Sequence, residues 1–399
     1  MLYDETLRAS LGSPVGHTGF GNFTGFVGGH MKSNIKALLA AAGVAAFAFS
    51  PANAFEFAPE LQKAGIFIGS SAGVPPPGIY GFSQAFTFQT NWAGPIQNSA
   101  PGFGGPAGGP GVGNKQGEQV NVFIQGFLFV PGWTFLGATY DFVVAQPFET
   151  FAIGQPLSLL GAPDMGSGVH NTYFANELAW NKIGGTGFGI KTGLGMFAPT
   201  GTVQGGTGPS IGIACLTHVG CNGGANVGFH YWTFQPELIL SYLGGGWNLS
   251  AALYAEINTA NRQDDYTTGD IFHADFTATY TTGKWTFGPV GYVVAQVSDD
   301  KCSSVTCLAL HPFGTAGFTQ RYTIAAVGGL LEYNFGAATV SIWGTQAVYA
   351  KASGTPIPAG VLSPFADDTS YIQKGSTILA TLSYAIWNPP APATPMIHK

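Results

Sequence analysis

The chain has 399 residues and a formal net charge of −6, and only 9% of its residues are charged, against roughly 25% in ordinary soluble domains. Its 14% aromatics and mean hydropathy of +0.20 exclude a disordered chain, and its 60 glycines follow no three-residue period, which excludes collagen. Fourteen basic residues give nucleic acid no electrostatic footprint.

From the N-terminus, residues 31–36 (MKSNIK) supply a positive start and residues 37–49 an apolar run too short to span a bilayer. Ser50-Pro51-Ala52-Asn53-Ala54 ends in the small-x-small pattern of a signal-peptidase site. Residues 1–54 are therefore expected to be a leader, with 31–54 the signal peptide and 1–30 an upstream misannotation; a genuine extension is the alternative. Export to the bacterial outer membrane follows. Residues 55–78 then form a periplasmic segment too apolar for a free tail, with Phe55, Phe57, Leu61, Ile66, Phe67 and Ile68. The expectation is a lumen plug, with Glu56, Glu60 and Lys63 pairing lumen groups.

Beyond the leader no run reads as a membrane helix: the most apolar, 120–140, contains Asn121 and Gln125 and is broken by Pro131-Gly132. Period two fits instead. Trp247, Leu249, Ala251, Leu253, Ala255 and Ile257 alternate with Asn248, Ser250, Tyr254 and Glu256. Twelve strands are predicted over 79–90, 118–130, 133–148, 174–182, 186–198, 229–243, 246–257, 270–281, 284–297, 317–334, 337–350 and 374–387. Their connections alternate short and long, as in outer-membrane barrels with short periplasmic turns and long extracellular loops. The fold class is thus all-β: a transmembrane antiparallel up-and-down barrel over 79–387, with a Pro-rich periplasmic tail over 388–399.

The alternation points Lys191, Glu237, Glu256, Asp275 and Arg321 into the lumen, with Asp141 and Glu177 beside them. Phe123, Phe127 and Phe129 share a phase with Asn121 and Gln125 and are read as inward, as are Trp133, Phe135, Tyr231, Tyr254, Tyr292 and Trp343. The plug is expected to pack on Phe123, Phe127 and Phe135. Either these groups fill a narrow barrel or they line a path for apolar and aromatic solutes; both readings stay open. Glu332 shares the phase of Ile324 and Leu330, read as lipid-facing, which calls for a bulge at Gly328-Gly329 or a place at the periplasmic rim.

Two close cysteine pairs in long loops are expected to form the disulfides Cys215–Cys221 and Cys302–Cys307 in an oxidising compartment. Asp264-Asp265, Asp299-Asp300 and Asp367-Asp368 are read as solvated loop acids, with divalent bridging to lipopolysaccharide the alternative. No catalytic residue, metal ligand or cofactor is assigned, since His273 near Asp275 does not make a nucleophile–base–orienter set.

Several local patterns in order carry a resemblance: Pro75-Pro76-Pro77-Gly78-Ile79-Tyr80, Glu177-Leu178-Ala179-Trp180, Ala198-Pro199-Thr200-Gly201, Tyr231-Trp232 through Pro236 to Tyr242-Leu243, Asp265-Tyr266-Thr267-Thr268-Gly269, and Gly291-Tyr292 to Asp299-Asp300. They resemble the outer-membrane family named for the meta pathway of phenol degradation, over about residues 75–387. The resemblance implies a channel-type barrel associated with catabolism of aromatic or other hydrophobic compounds, and no enzyme activity. The reading is a channel that admits small hydrophobic or aromatic molecules by passive diffusion. A general porin or structural barrel is the alternative, and a lipid hydrolase using His273 and Asp275 the third. Expected partners are outer-membrane lipid and lipopolysaccharide, the solute and the barrel assembly machinery.

Overall fold

The computed structural model describes residues 61–93, 118–153, 165–202, 227–262, 265, 267–301, 321–353 and 372–389. Twelve antiparallel strands make its wall: β1 (Gly78–Ala93), β2 (Glu118–Val130), β3 (Ala138–Ile153), β4 (Thr172–Trp180), β5 (Phe188–Ala198), β6 (Thr233–Gly244), β7 (Trp247–Asn258), β8 (Ile271–Thr282), β9 (Trp285–Gln296), β10 (Arg321–Asn334), β11 (Ala338–Ser353) and β12 (Ile372–Trp387). Each pairs with its sequence neighbour, and β12 pairs with β1 along Ile79–Ala93, so the sheet closes on itself. Closure leaves no open edge, which a membrane-spanning sheet requires. Two short strands, Thr134–Phe135 and Met165–Val169, attach to the two ends of β3.

Turn chemistry sets the short connections. Gly244 pairs with Trp247, so Gly245 (φ 60°) and Gly246 (φ 87°) alone link β6 to β7. Positive φ at both central residues is what a tight hairpin with native twist demands, and glycine adopts it without strain. The β2–β3 connection differs from expectation. Pro131-Gly132 breaks the strand, and the hairpin turns at Leu136 and Gly137, so β3 starts five residues later than predicted.

One face of each strand is buried and the other exposed. On β7, Ser250, Ala252, Tyr254 and Glu256 are shielded inside while Leu249 and Ile257 are exposed outside. The outer belt carries Phe127, Leu240, Phe276, Leu331, Ile342 and Ile378, as a lipid-facing surface does. At its short-turn end, Trp247 packs on Tyr280 at 5.1 Å, Trp285 on Tyr333 at 4.6 Å and Phe188 on Tyr242 at 5.1 Å, an aromatic girdle at a membrane–water interface.

Residues 61–77 run inside the wall from the long-loop end toward the short-turn end, where they enter β1. Leu61, Ala64, Ile68 and Ala72 are buried there. Gly65 (φ +86°) lies so close to Trp343 and Tyr292 that a Cβ would stand 2.9 and 3.0 Å from them. Only glycine meets both the backbone and the space requirement.

Four expectations are corrected. Phe123, Phe127, Phe129 and Phe135 are 50, 42, 39 and 60% exposed and point outward, as does Trp133, whereas Val120, Val122, Ile124 and Val130 face the lumen from β2. Both faces of β2 are apolar, so alternation there has a period but no sign. Arg321 is also outward, at the long-loop rim, where its Nε bonds Asp299 at 2.7 Å. Ile324, Ala326 and Leu330 are buried in the lumen, so Glu332 on their phase is inward rather than lipid-facing. The register shift lies between Ala325 and Ala326, not at Gly328-Gly329. The four cysteines lie outside the described residues, as do Asp264, Asp367 and Asp368. Asp300 is not simply solvated: it accepts from the Gly269 N–H and from Gln296 Nε2, both at 2.7 Å.

The phases give a test. Leu253→Arg places a charge on the lipid face of β7, at a cost of roughly 2–4 kcal/mol near the midplane, and assembly of the heat-modifiable barrel should fall. Ser250 is inward and bonded to Ser241, so Ser250→Arg should assemble and disturb only the inner segment. Equal loss of folded barrel from both substitutions would mean the phase is wrong.

Candidate functional site

The lumen is built by side chains of opposite character on its two sides. Strands β6 to β8 present carboxylates and hydroxyls to the inner segment. Glu256 accepts from the main-chain N–H groups of Leu61 (3.0 Å) and Gln62 (2.8 Å), and Asp275 from those of Gly65 (3.1 Å) and Phe67 (3.0 Å). Lower down, the Gly69 N–H donates to Thr277 Oγ1 and the Ala72 N–H to Ser241 Oγ. A segment with no strand partner thereby satisfies its buried amides, as burial requires. Tyr254 donates to Asp275, packs edge-on against Phe67 and stacks on His273 at 4.4 Å. His273 Nε2 lies 3.1 Å from Glu256. The two residues of the hydrolase alternative thus lie among the contacts of the inner segment, Asp275 directly and His273 through Glu256 and Tyr254.

A second buried network lies across β3, β4, β5 and β6. Lys191 Nζ stands 3.2 Å from both Asp141 Oδ2 and Glu177 Oε2, which face each other across the β3–β4 pair. Tyr173 donates to Glu237, which also accepts from Gln235 Nε2 at 2.8 Å. Glu149 on β3 pairs with Lys63 of the inner segment at 3.2 Å.

Between the inner segment and the wall from β12 through β5 lies a cavity of about 400 Å³. Phe82, Val122, Ile124, Leu128 and Val143 are among its apolar lining, and Lys63, Glu149, His170, Tyr173, Glu177 and Lys191 among its polar lining. This volume sits within the range of small-molecule sites, which are mostly apolar with a few placed polar groups. Among the described residues no group of His, Cys, Asp and Glu is arranged to hold a metal ion.

The structure therefore brings Lys191 and Glu237 together around one network, and Glu256, Asp275 and Tyr254 around the inner segment. Tyr231 and Tyr292 are buried in the same core. Sequence reasoning missed Phe82, Glu149, His170 and Tyr173. Glu149, His170 and Tyr173 fell inside a stretch read as loop 149–173, and Phe82 shares its phase with Gln84. The available signal was the alternation of β4, which places Tyr173 in step with Glu177.

Residues 220–352, about a third of the chain, match the family model described as "Putative MetA-pathway of phenol degradation", the family whose motifs the sequence resembles. Among solved structures, an outer membrane channel from Pseudomonas putida F1 is 12% identical with a TM-score of 0.55, covering 79% of this chain and 97% of that one. That likeness shows the closed-barrel fold. The beta domain of the Bordetella autotransporter BrkA is 11% identical (TM-score 0.38; 77% of this chain, 100% of that one). A deletion mutant of TodX, a monoaromatic hydrocarbon channel, is 9% identical (TM-score 0.36; 81% and 94%). A comparison with curated proteins gives no match.

Proposed function

We propose that the chain is an outer-membrane channel through which small hydrophobic molecules, aromatic ones among them, diffuse passively. One observation carries this reading: beside the inner segment lies a cavity of about 400 Å³ with an apolar lining on β1, β2 and β3. A general porin offers a continuous water-filled lumen, which residues 61–77 obstruct. The family match and the channel fold of the Pseudomonas putida protein support the same reading. The lumen carboxylates are engaged within the barrel: Glu256 and Asp275 by main-chain amides, Asp141 and Glu177 by Lys191, Glu149 by Lys63, and Glu237 by Tyr173 and Gln235.

The test uses cells whose intact lipopolysaccharide slows apolar entry. Expression of the chain should raise the initial uptake of radiolabelled toluene several-fold and leave arabinose uptake unchanged. A matching rise for arabinose would favour a general porin, and no rise for toluene would sink the reading.

A further inference from the structure

We propose that the ion pair between Lys63 and Glu149 is a gate across the long-loop end of the lumen cavity, opened by rotation of the Lys63 side chain while the inner segment stays in place. The inference rests on the channel reading above and adds the step that admits the solute. The inner segment is tied to the wall unevenly. Its main-chain N–H groups at Leu61, Gln62, Gly65, Phe67, Gly69 and Ala72 donate to side chains of β6, β7 and β8. On the opposite side it borders the cavity, and there Lys63 reaches across to β3, its Nζ 3.2 Å from Glu149 Oε2. Lys191 and Glu177 also line the cavity, but both belong to the wall, so their pair does not span it.

The pair stands at one limit of the cavity. Of the described lining residues on β2 and β3, Val122 and Glu149 lie nearest the long loops, and they are cross-strand partners. From Val122 the lining continues to Leu128 near the short turns, about 20 Å along the strand. A solute arriving from the long-loop side therefore meets the pair before the apolar lining below it. The Glu149 main chain is held on both sides, against Val122 of β2 and Gly168 of the short strand Met165–Val169. The Lys63 main chain is pinned as well, between the Gln62 and Gly65 amides bonded to Glu256 and Asp275. What is left to move is the Lys63 side chain, whose flexible stem lets the ammonium swing toward water while the stem keeps its apolar contacts. The two side chains are 14 and 8% exposed, so neither charge is sealed from water when the pair parts.

Variants of the pair test the gate in the cells used above. Lys63→Met and Glu149→Gln should each raise initial toluene uptake about ten-fold over the unaltered chain, the weight of one charge-assisted hydrogen bond. Lys63→Glu combined with Glu149→Lys rebuilds the pair with its charges exchanged and should return uptake to near the unaltered rate. Arabinose uptake should stay unchanged throughout, because the inner segment remains bound to β6, β7 and β8. Single variants that match the unaltered chain, or an exchanged pair as fast as the single variants, overturn the gate and leave the channel reading intact. A rise in arabinose beside toluene also overturns the gate, since the segment would then have left the lumen. No toluene uptake through the unaltered chain overturns both. Should the Glu149 variants fail to assemble, Lys63→Met against Lys63→Arg decides. The wall's main-chain ladder does not depend on the inner segment, and Lys63→Arg keeps the pair and with it the slow rate.

Discussion

Removal of residues 57–74 is expected to raise single-channel conductance in planar bilayers several-fold while the barrel still assembles. The wall is closed by twelve strand pairings, and residues 61–77 take part in none of them. Their hydrogen bonds go to side chains instead, at Glu256, Asp275, Thr277 and Ser241. The wall's main-chain ladder is therefore complete without them. Twelve strands lie between the eight that side chains can fill and the sixteen that leave an aqueous channel. Whether such a barrel conducts depends on what occupies it, and here the occupant is this segment. Some stability is lost with it, because Tyr292, Leu330 and Trp343 would exchange an apolar neighbour for water.

The same deletion should make the pore prefer cations. With the segment gone, Asp141, Glu149, Glu177, Glu237, Glu256 and Asp275 face the lumen against Lys191, since Lys63 leaves with the deletion. A lumen dominated by one sign of charge concentrates counter-ions. Reversal potentials under a salt gradient should shift toward the cation value. A correctly assembled deletion variant with unchanged conductance would refute obstruction, and the segment would then serve only to pack the barrel interior.

The period of the sequence was easy to read, and the sign of that period was not always. Where one face of a strand is polar, as on β7 with Ser250 and Glu256 against Leu249 and Leu253, the alternation identifies both faces. On β2 both faces are apolar. Asn121 and Gln125 then suggest that the face with Phe123 and Phe127 is the lumen. In the structure those amides are outside, where Gln125 accepts from Ser83 Oγ and donates to the Phe82 carbonyl, so the wall itself satisfies them. On β10 the cause is different: Ile324 and Leu330 are apolar yet inward, and a Cβ on Gly69 would stand 3.0 Å from Leu330. The lumen wall is apolar where it must pack an apolar segment, and strand periodicity carries no record of that partner. His170 escaped for a third reason, since it sits in no regular strand and its burial depends on Phe197 and Phe229 from distant parts of the chain.

Lys191→Met is expected to lower barrel stability by about 3–5 kcal/mol, the usual cost of removing one partner from a buried ion pair. Lys191 lies 3.2 Å from two carboxylates, Asp141 and Glu177, which are cross-strand partners and would be left facing each other without a cation. Both are buried, at 0 and 5% exposure, so water cannot stand in for the ammonium without opening the site. The temperature at which the heat-modifiable band is lost on gels should fall. A second variant isolates the charge from the packing: adding Asp141→Asn and Glu177→Gln to Lys191→Met removes the uncompensated charges and should recover most of the loss. Replacing a buried ionic cluster by neutral groups is often close to neutral, whereas halving it is not. If Lys191→Met melts with the unaltered protein, the three groups do not form a closed network, and the lumen beside the cavity is wetter than the geometry indicates.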